Sequence, residues 1–147
     1  VNAGAGVAFV VRGLPGPQGS KKFVGLSKAG RGLMIEASRK VKPWRQAVAA
    51  AAREAMQGLA VMDGPLRLEV HFTLPAPKSR PKSRLWPDRK PDLSKLIRST
   101  EDALTGIAWA DDARVVEIVA TKRYAGVNGA PEYVGCVVIV STIQDKK

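Results

Sequence analysis

The residues best suited to chemistry lie between Lys90 and Gly106 and in Trp109-Ala-Asp-Asp112 just after. Four aspartates fall there, Asp92, Asp102, Asp111 and Asp112, in a chain otherwise short of acids. Basic residues flank them on both sides. Carboxylates held among cations suit the hydrolysis of a phosphodiester. That reaction needs charge neutralised at the non-bridging oxygens and a water made nucleophilic. Hard divalent ions do both, and they prefer carboxylate and water oxygens. The expected site is therefore Mg2+, with Mn2+ able to substitute, on Asp92 and the Asp111-Asp112 pair. Lys95 or Arg98 would stabilise the transition state or the leaving oxygen.

Each acid also has an ordinary reading. Asp92 is a good helix N-cap. Asp102 stands four residues after Arg98 and could form an exposed ion pair with it. Asp111-Asp112 could be a plain turn. The functional reading rests on their combination, since a helix, a turn and a strand can bring separate acids together.

Charge is the strongest global signal. Lys and Arg number 24 against 13 acids, for a formal net charge of +11, and the pI is near 10.2. Such an excess favours a polyanionic partner through phosphate neutralisation and counterion release. The 147 residues, 45% of them apolar, suit one domain with a real core. No apolar run reaches the ~18 residues a membrane helix needs. Residues 1–6 lack the basic and apolar regions of a signal peptide and are given no fold role, and 143–147 are expected to fray. The single cysteine, Cys136, lies in an apolar run and reads as a buried thiol, which fits an intracellular, cytoplasmic protein.

The elements that must position the acids follow from periodicity. Val7–Arg12 reads as a strand and Gly13–Lys22 as a Gly/Pro loop. Its glycines let backbone N–H groups approach a phosphate, with Lys21, Lys22 and Lys28 adding charge; a solvated hairpin loop is the alternative. Leu33–Ala37 is a candidate return strand. Apolar residues at spacings of three and four predict a helix over Lys40–Gln57, with Trp44 in the core. Leu66–Leu74 alternates apolar at even and polar at odd positions, a half-buried strand with His71, the only histidine, on its polar face. Pro75–Pro91 carries five prolines and six Lys/Arg. It is expected to be an extended, mobile basic loop, and Trp86 within it could stack on a base or tuck onto the body. A helix opens at Asp92, buries Leu93, Leu96, Ile97, Thr100 and Leu104, and stops at Gly106. Arg114–Tyr124 and Tyr133–Thr142 read as strands, the second central because it is apolar on both faces. The sum is one α+β domain over 7–142, a mixed, largely antiparallel sheet with two main helices packed on it.

Pro91-Asp-Leu-Ser-Lys-Leu, Asp102-Ala-Leu-Thr-Gly and Trp109-Ala-Asp-Asp-Ala-Arg-Val115 together resemble the RusA family of Holliday-junction resolvases, common in phages and prophages. Gly13–Lys21 and the helix entry near Trp44 also fit that family, so the resemblance covers most of the chain; it is specific between Lys90 and Val116. It implies a Mg2+-dependent endonuclease acting as a homodimer on four-way DNA junctions in the cytoplasm of a bacterial host. The family pairs an Asp-x-Asp-Asn-Leu segment and a lysine with a later Asp-Asp. Asp92 takes the first aspartate position, Asp112 with Asp111 the later pair, and Arg98 falls near the lysine. Ser94 stands where the second aspartate is usual, and Lys95 where asparagine is usual. Asp102 or Asp111 would then fill the gap as a ligand, or Lys95 would replace the family lysine in a rearranged site. The expected DNA contacts are Lys21, Lys22, Arg80, Lys82, Arg84 and Lys90. The competing readings are a DNA-binding protein whose site has decayed at Ser94, and a basic structural protein of a nucleoprotein assembly. Clustered carboxylates, which repel phosphate, argue against the latter.

Overall fold

The computed structural model describes residues 3–19, 21–26, 32–36 and 39–144. Lys28 lies outside the described residues, as do the side chains of Lys21 and Lys22, so their expected phosphate contacts have no geometry.

The fold is built on β4 (Leu66–Leu74), whose even-numbered residues are all buried. β4 lies between β5 (Val115–Tyr124), to which it is parallel, and β6 (Gly135–Ile143), to which it is antiparallel. β1 (Ala3–Arg12) adds antiparallel to β6, giving the order β1-β6-β4-β5. The apolar run around Cys136 is thus central, and burial pushes the Cys136 thiol pKa well up. β1 begins four residues earlier than Val7, because Ala3 and Gly6 pair with Ile143 and Ser141 across an irregular register. Small residues carry no hydropathy signal, yet their backbone groups pair as well as any. The return strand forms as β3 (Gly32–Glu36), but it pairs with β2 (Lys21–Leu26) in a separate two-stranded sheet.

Two helices cover one face. α1 (Val41–Ala55) buries Val41, Trp44, Val48 and Ala52. α2 (Leu93–Leu104) buries Leu96, Ser99, Thr100 and Leu104. Trp44 is core, as its spacing indicates, and its indole N–H donates to Thr100 Oγ1 at 3.1 Å. The pair joins α1 to α2 through a buried polar contact. Gly106, at φ +87°, ends α2 in the left-handed region that a Cβ disfavours. The chain then turns back through buried Trp109 and a single 3-10 turn at Asp112–Arg114 before entering β5.

The basic segment 75–91 is folded rather than extended. Backbone N–H groups of Arg80 and Arg84 donate to the carbonyls of Pro77 and Pro81, closing two successive turns. Arg80 Nη1 donates to Arg84 O at 2.6 Å, and its guanidinium lies 5.6 Å from the Tyr124 ring centre. Lys122 Nζ donates to the carbonyls of Arg89 (2.7 Å) and Pro91 (2.8 Å). Proline removes ladder donors but leaves carbonyls, and these cations use them. Trp86 is half exposed, with Arg123 stacked at 5.1 Å.

Thr100→Val leaves the Trp44 N–H buried without an acceptor. The expected cost is about 1–3 kcal/mol, read in urea unfolding as a lower midpoint with an unchanged slope.

Candidate active site

The site is best followed along α2. At its N-terminal end, Asp92 occupies the N-cap position, but its side chain makes no capping hydrogen bond. The carboxylate is half exposed, 3.9 Å from Lys95 Nζ. It is therefore not consumed by the helix, as the ordinary reading of an N-cap would have it. Asp92 opens onto a groove of about 840 Å3 lined by Arg39, Lys40, Arg84, Arg89, Lys90 and Lys95, in which it is the one acid among the described residues. Six cations around Asp92 attract a phosphate backbone, and two of them, Arg84 and Arg89, also lie 3.9 and 3.8 Å from the exposed Asp88.

Residues 14–19 of the Gly/Pro loop form a wall of this groove. Gln18 N–H donates to Lys95 O at 3.0 Å, and Ser99 Oγ donates to Gly16 O at 2.6 Å. A Cβ on Gly16 would stand 2.1 Å from Lys40 O, so only glycine lets the loop lie against the start of α1. Arg45, from α1, donates to Gln18 Oε1 and to Asp102 Oδ2, the latter at 3.0 Å. Asp102 thus pairs across helices with Arg45 and not along its own helix with Arg98. Through that contact it helps hold the loop and the two helices together. Ser94 itself is exposed in the first turn.

At the other end of α2, Asp112 is clamped. Its Oδ1 accepts the Trp109 indole N–H at 2.9 Å and the Thr105 hydroxyl. Asp111 accepts from Ala113 N–H at 2.9 Å, capping the 3-10 turn, so for this residue the ordinary reading of a turn acid holds. Glu101, one turn before Thr105, is half buried, and its pKa is pushed up to about 6 by that burial and then by the nearby Asp112 and Asp102 charges, with Arg98 opposing. The spacing gave no sign of Glu101, because its neighbour in space belongs to the turn eleven residues later.

The two ends do not meet. α2 has twelve residues and so is about 18 Å long, with Asp92 at its start and Asp112 bonded to the residue after its end. The expected convergence of Asp92 with Asp111 and Asp112 fails within one chain for this reason. Among the described residues no group of three or more His, Cys, Asp or Glu side chains is placed to hold a metal ion. A divalent ion wants several hard oxygen ligands at once, so the described acids of a single chain do not fit one as they stand.

The family model described as endodeoxyribonuclease RusA matches residues 14–131, from the groove wall to the turn before β6. The chain belongs to the RusA family. Its membership covers both ends of α2 and the basic segment between β4 and the helix. A relative, "Uncharacterized protein YqaN" of Bacillus subtilis (strain 168), is 29% identical over 129 residues, 81% of this chain and 88% of that protein. RusA proteins are nucleases, hydrolases that act on branched DNA. Among the described residues no helix is long and apolar enough to cross a membrane. Within this RusA domain, the sequence reading missed Arg45, Gln18, Glu101 and Thr105. All four owe their place to contacts between elements. His71 stays on the polar face of β4, bonded to Glu69 (2.6 Å) and Thr121 (2.7 Å).

A raised carboxyl pKa means the folded state binds the proton more tightly, so the cost of an ionised Glu101 is absent below about pH 4.5 and present in full above about pH 6. Discounted for its half-exposed position, that cost is ~1 kcal/mol. Glu101→Gln should raise the melting temperature by about 3 °C at pH 8 and leave it unchanged near pH 4, as read by differential scanning calorimetry.

Proposed function

We propose that the protein is an endodeoxyribonuclease that cuts four-way DNA junctions by paired nicks, with a requirement for Mg2+ or Mn2+. The observation that carries this reading is the groove at the start of α2: six Lys and Arg side chains around the uncapped Asp92. RusA membership supports the branched substrate, and the net charge of +11 supports a polyanion.

The chain's own residues have definable parts in this reading. Arg39, Lys40, Arg84, Arg89 and Lys90 would hold the phosphate backbone, which fixes the position of the duplex arm without reading its sequence. Lys95, beside Asp92, would face the developing charge on the phosphate oxygens. Lys122 keeps the turn at Arg89–Pro91 in place through its two carbonyl contacts, so that the cations of the segment stand over the groove. Arg80 serves the segment internally, and Lys82 is exposed and available to DNA. The alternative of binding without cleavage draws on Ser94, where a neutral hydroxyl replaces a carboxylate in the first turn of α2.

The deciding experiment incubates purified protein with a four-way junction and a matched linear duplex, in Mg2+, in Mn2+ and in chelator. Paired nicks on the junction alone, lost in chelator, are the expected outcome. Tight junction binding with no cleavage in either metal would leave the binding protein as the correct reading. Asp92→Asn should abolish nicking and keep or tighten junction binding, because it removes a negative charge beside phosphate.

Neutralising Arg39, Arg89 and Lys90 together should weaken binding to linear and branched DNA alike. The slope of log K against log salt should become shallower by about 2.7, at ~0.9 per lost phosphate contact. Titrations by fluorescence anisotropy at several salt concentrations measure this. An unchanged slope would mean the groove does not carry the DNA.

A further inference from the structure

Of the three tryptophans, Trp44 and Trp109 are buried in the core, whereas Trp86 is 53% exposed. An indole carries a large apolar surface, and leaving half of it in water gives up burial that the fold could have used. Trp86 is nevertheless not a loose side chain. Pro87 after it is buried. The Asp88 N–H donates to Trp86 O at 2.9 Å, and the Arg84 carbonyl two residues before it accepts from Arg80 Nη1. The ring itself rests on Arg123, whose guanidinium lies 5.1 Å from the ring centre and donates to Asn128 O in the turn after β5. Among the described residues no other cation or aromatic stacks on the ring. Its backbone and its support are thus fixed, and one face is left open.

The place of the ring limits what can cover that face. Arg84 and Pro87, on either side of it in the chain, both line the cationic groove around Asp92, so the ring stands at the rim of that groove. Asp88 is the one acid in the segment 75–91, against six Lys and Arg. An occupant must therefore bring negative charge and a flat apolar face together. Nucleic acid brings both, phosphate for the cations and a base for the ring. A base inside a duplex is already stacked on both sides and has no face to give; an unpaired base has one.

We infer that Trp86, held on Arg123, is a stacking platform for a base left unpaired at the branch point of a DNA junction, and that this contact separates branched from linear DNA where the cations of the groove do not. The branch as the source of the base rests on the nuclease reading above; the stacking does not.

The division of labour has a physical basis. The cations contact phosphates, which every duplex carries, so the groove by itself binds linear and branched DNA alike. Preference for a branch needs a group that gains only where pairing is interrupted. Stacking on an aromatic ring does this without reading sequence, because every base has a π-face. A ring already held in place also loses little freedom on binding, since an indole has only two side-chain torsions and Arg123 restrains them.

Two measurements test this, both in chelator so that no strand is cut. The first follows tryptophan fluorescence as a short oligothymidylate is added. Trp44 and Trp109 are buried, so quenching by a stacked base reports on Trp86. It should be strong in wild type and absent in Trp86→Ala. The second titrates labelled four-way junction, oligothymidylate and blunt linear duplex by fluorescence anisotropy. Trp86→Ala should weaken binding to the junction and to the oligothymidylate by roughly 5- to 100-fold. Its affinity for the duplex, and the salt slope there, should match wild type. Trp86→Phe keeps a ring and should recover most of the loss. Both variants should melt with wild type, since the ring is half exposed.

An equal loss on all three DNAs would mean that Trp86 only shapes the groove, and would overturn the inference. So would an absence of quenching with no loss on any of them. A loss on the oligothymidylate with none on the junction would overturn the assignment to the branch point. If wild type cuts no junction in Mg2+ or Mn2+, the nuclease reading falls, and the quenching and the affinity losses still decide the stacking.

Discussion

Parallel strands cannot be joined by a tight turn, and the parallel pairing of β4 with β5 sets the terms for everything functional in this protein. The chain leaves β4 at Leu74 and must return to the opposite end of the sheet before β5 begins at Val115. The connection holds the basic segment, α2 and the Asp111-Asp112 turn. Its geometry dictates their order in space: cations and Asp92 where β4 ends, α2 crossing the sheet, Asp112 where β5 starts. Burial of Leu96, Thr100 and Leu104 against the sheet fixes α2 in that crossing, and the buried Trp44–Thr100 hydrogen bond fixes α1 beside it.

The electrostatics of the groove follow from the same arrangement. A run of Lys and Arg repels itself, and left in solution it would spread. Here the segment is tied at both ends. Arg80 and Lys122 use main-chain carbonyls that proline leaves without a ladder partner, and each such bond cuts the freedom of the neighbouring cations. The Arg45 guanidinium does comparable work on the opposite wall, joining Gln18 to Asp102. Its Nε is buried without a partner among the described residues, a cost that the two polar contacts of the Nη2 nitrogen offset. Pre-arranged cations lose less entropy on meeting a phosphate backbone than free ones do.

Much of this was legible in the sequence. The alternation of Leu66–Leu74, the three-and-four spacing around Trp44 and the apolar run at Cys136 each mark an element whose burial the structure bears out. The stop at Gly106 shows because only one residue type takes its φ comfortably. Partner choice was not legible. Asp102 had two arginines within reach, and the choice of Arg45 over Arg98 depends on how α1 packs against α2. The folded state of Pro75–Pro91 was hidden because Arg80, one of the cations whose repulsion argued for an extended chain, bonds a carbonyl within it, and because Lys122 reaches it from β5. Glu101 was hidden because its raised pKa arises first from burial and then from a carboxylate across a turn. The family, by contrast, was carried by short ordered motifs, and these survive even where Ser94 departs from them.

The separation of Asp92 from Asp112 is a matter of backbone, and so no adjustment of side chains removes it. An aspartate carboxylate lies within a few ångströms of its own Cα, whereas a twelve-residue helix spans about 18 Å. Unwinding α2 to close that distance would expose Leu96 and Leu104 and break the Trp44–Thr100 contact, a loss well beyond what a few new carboxylate contacts return.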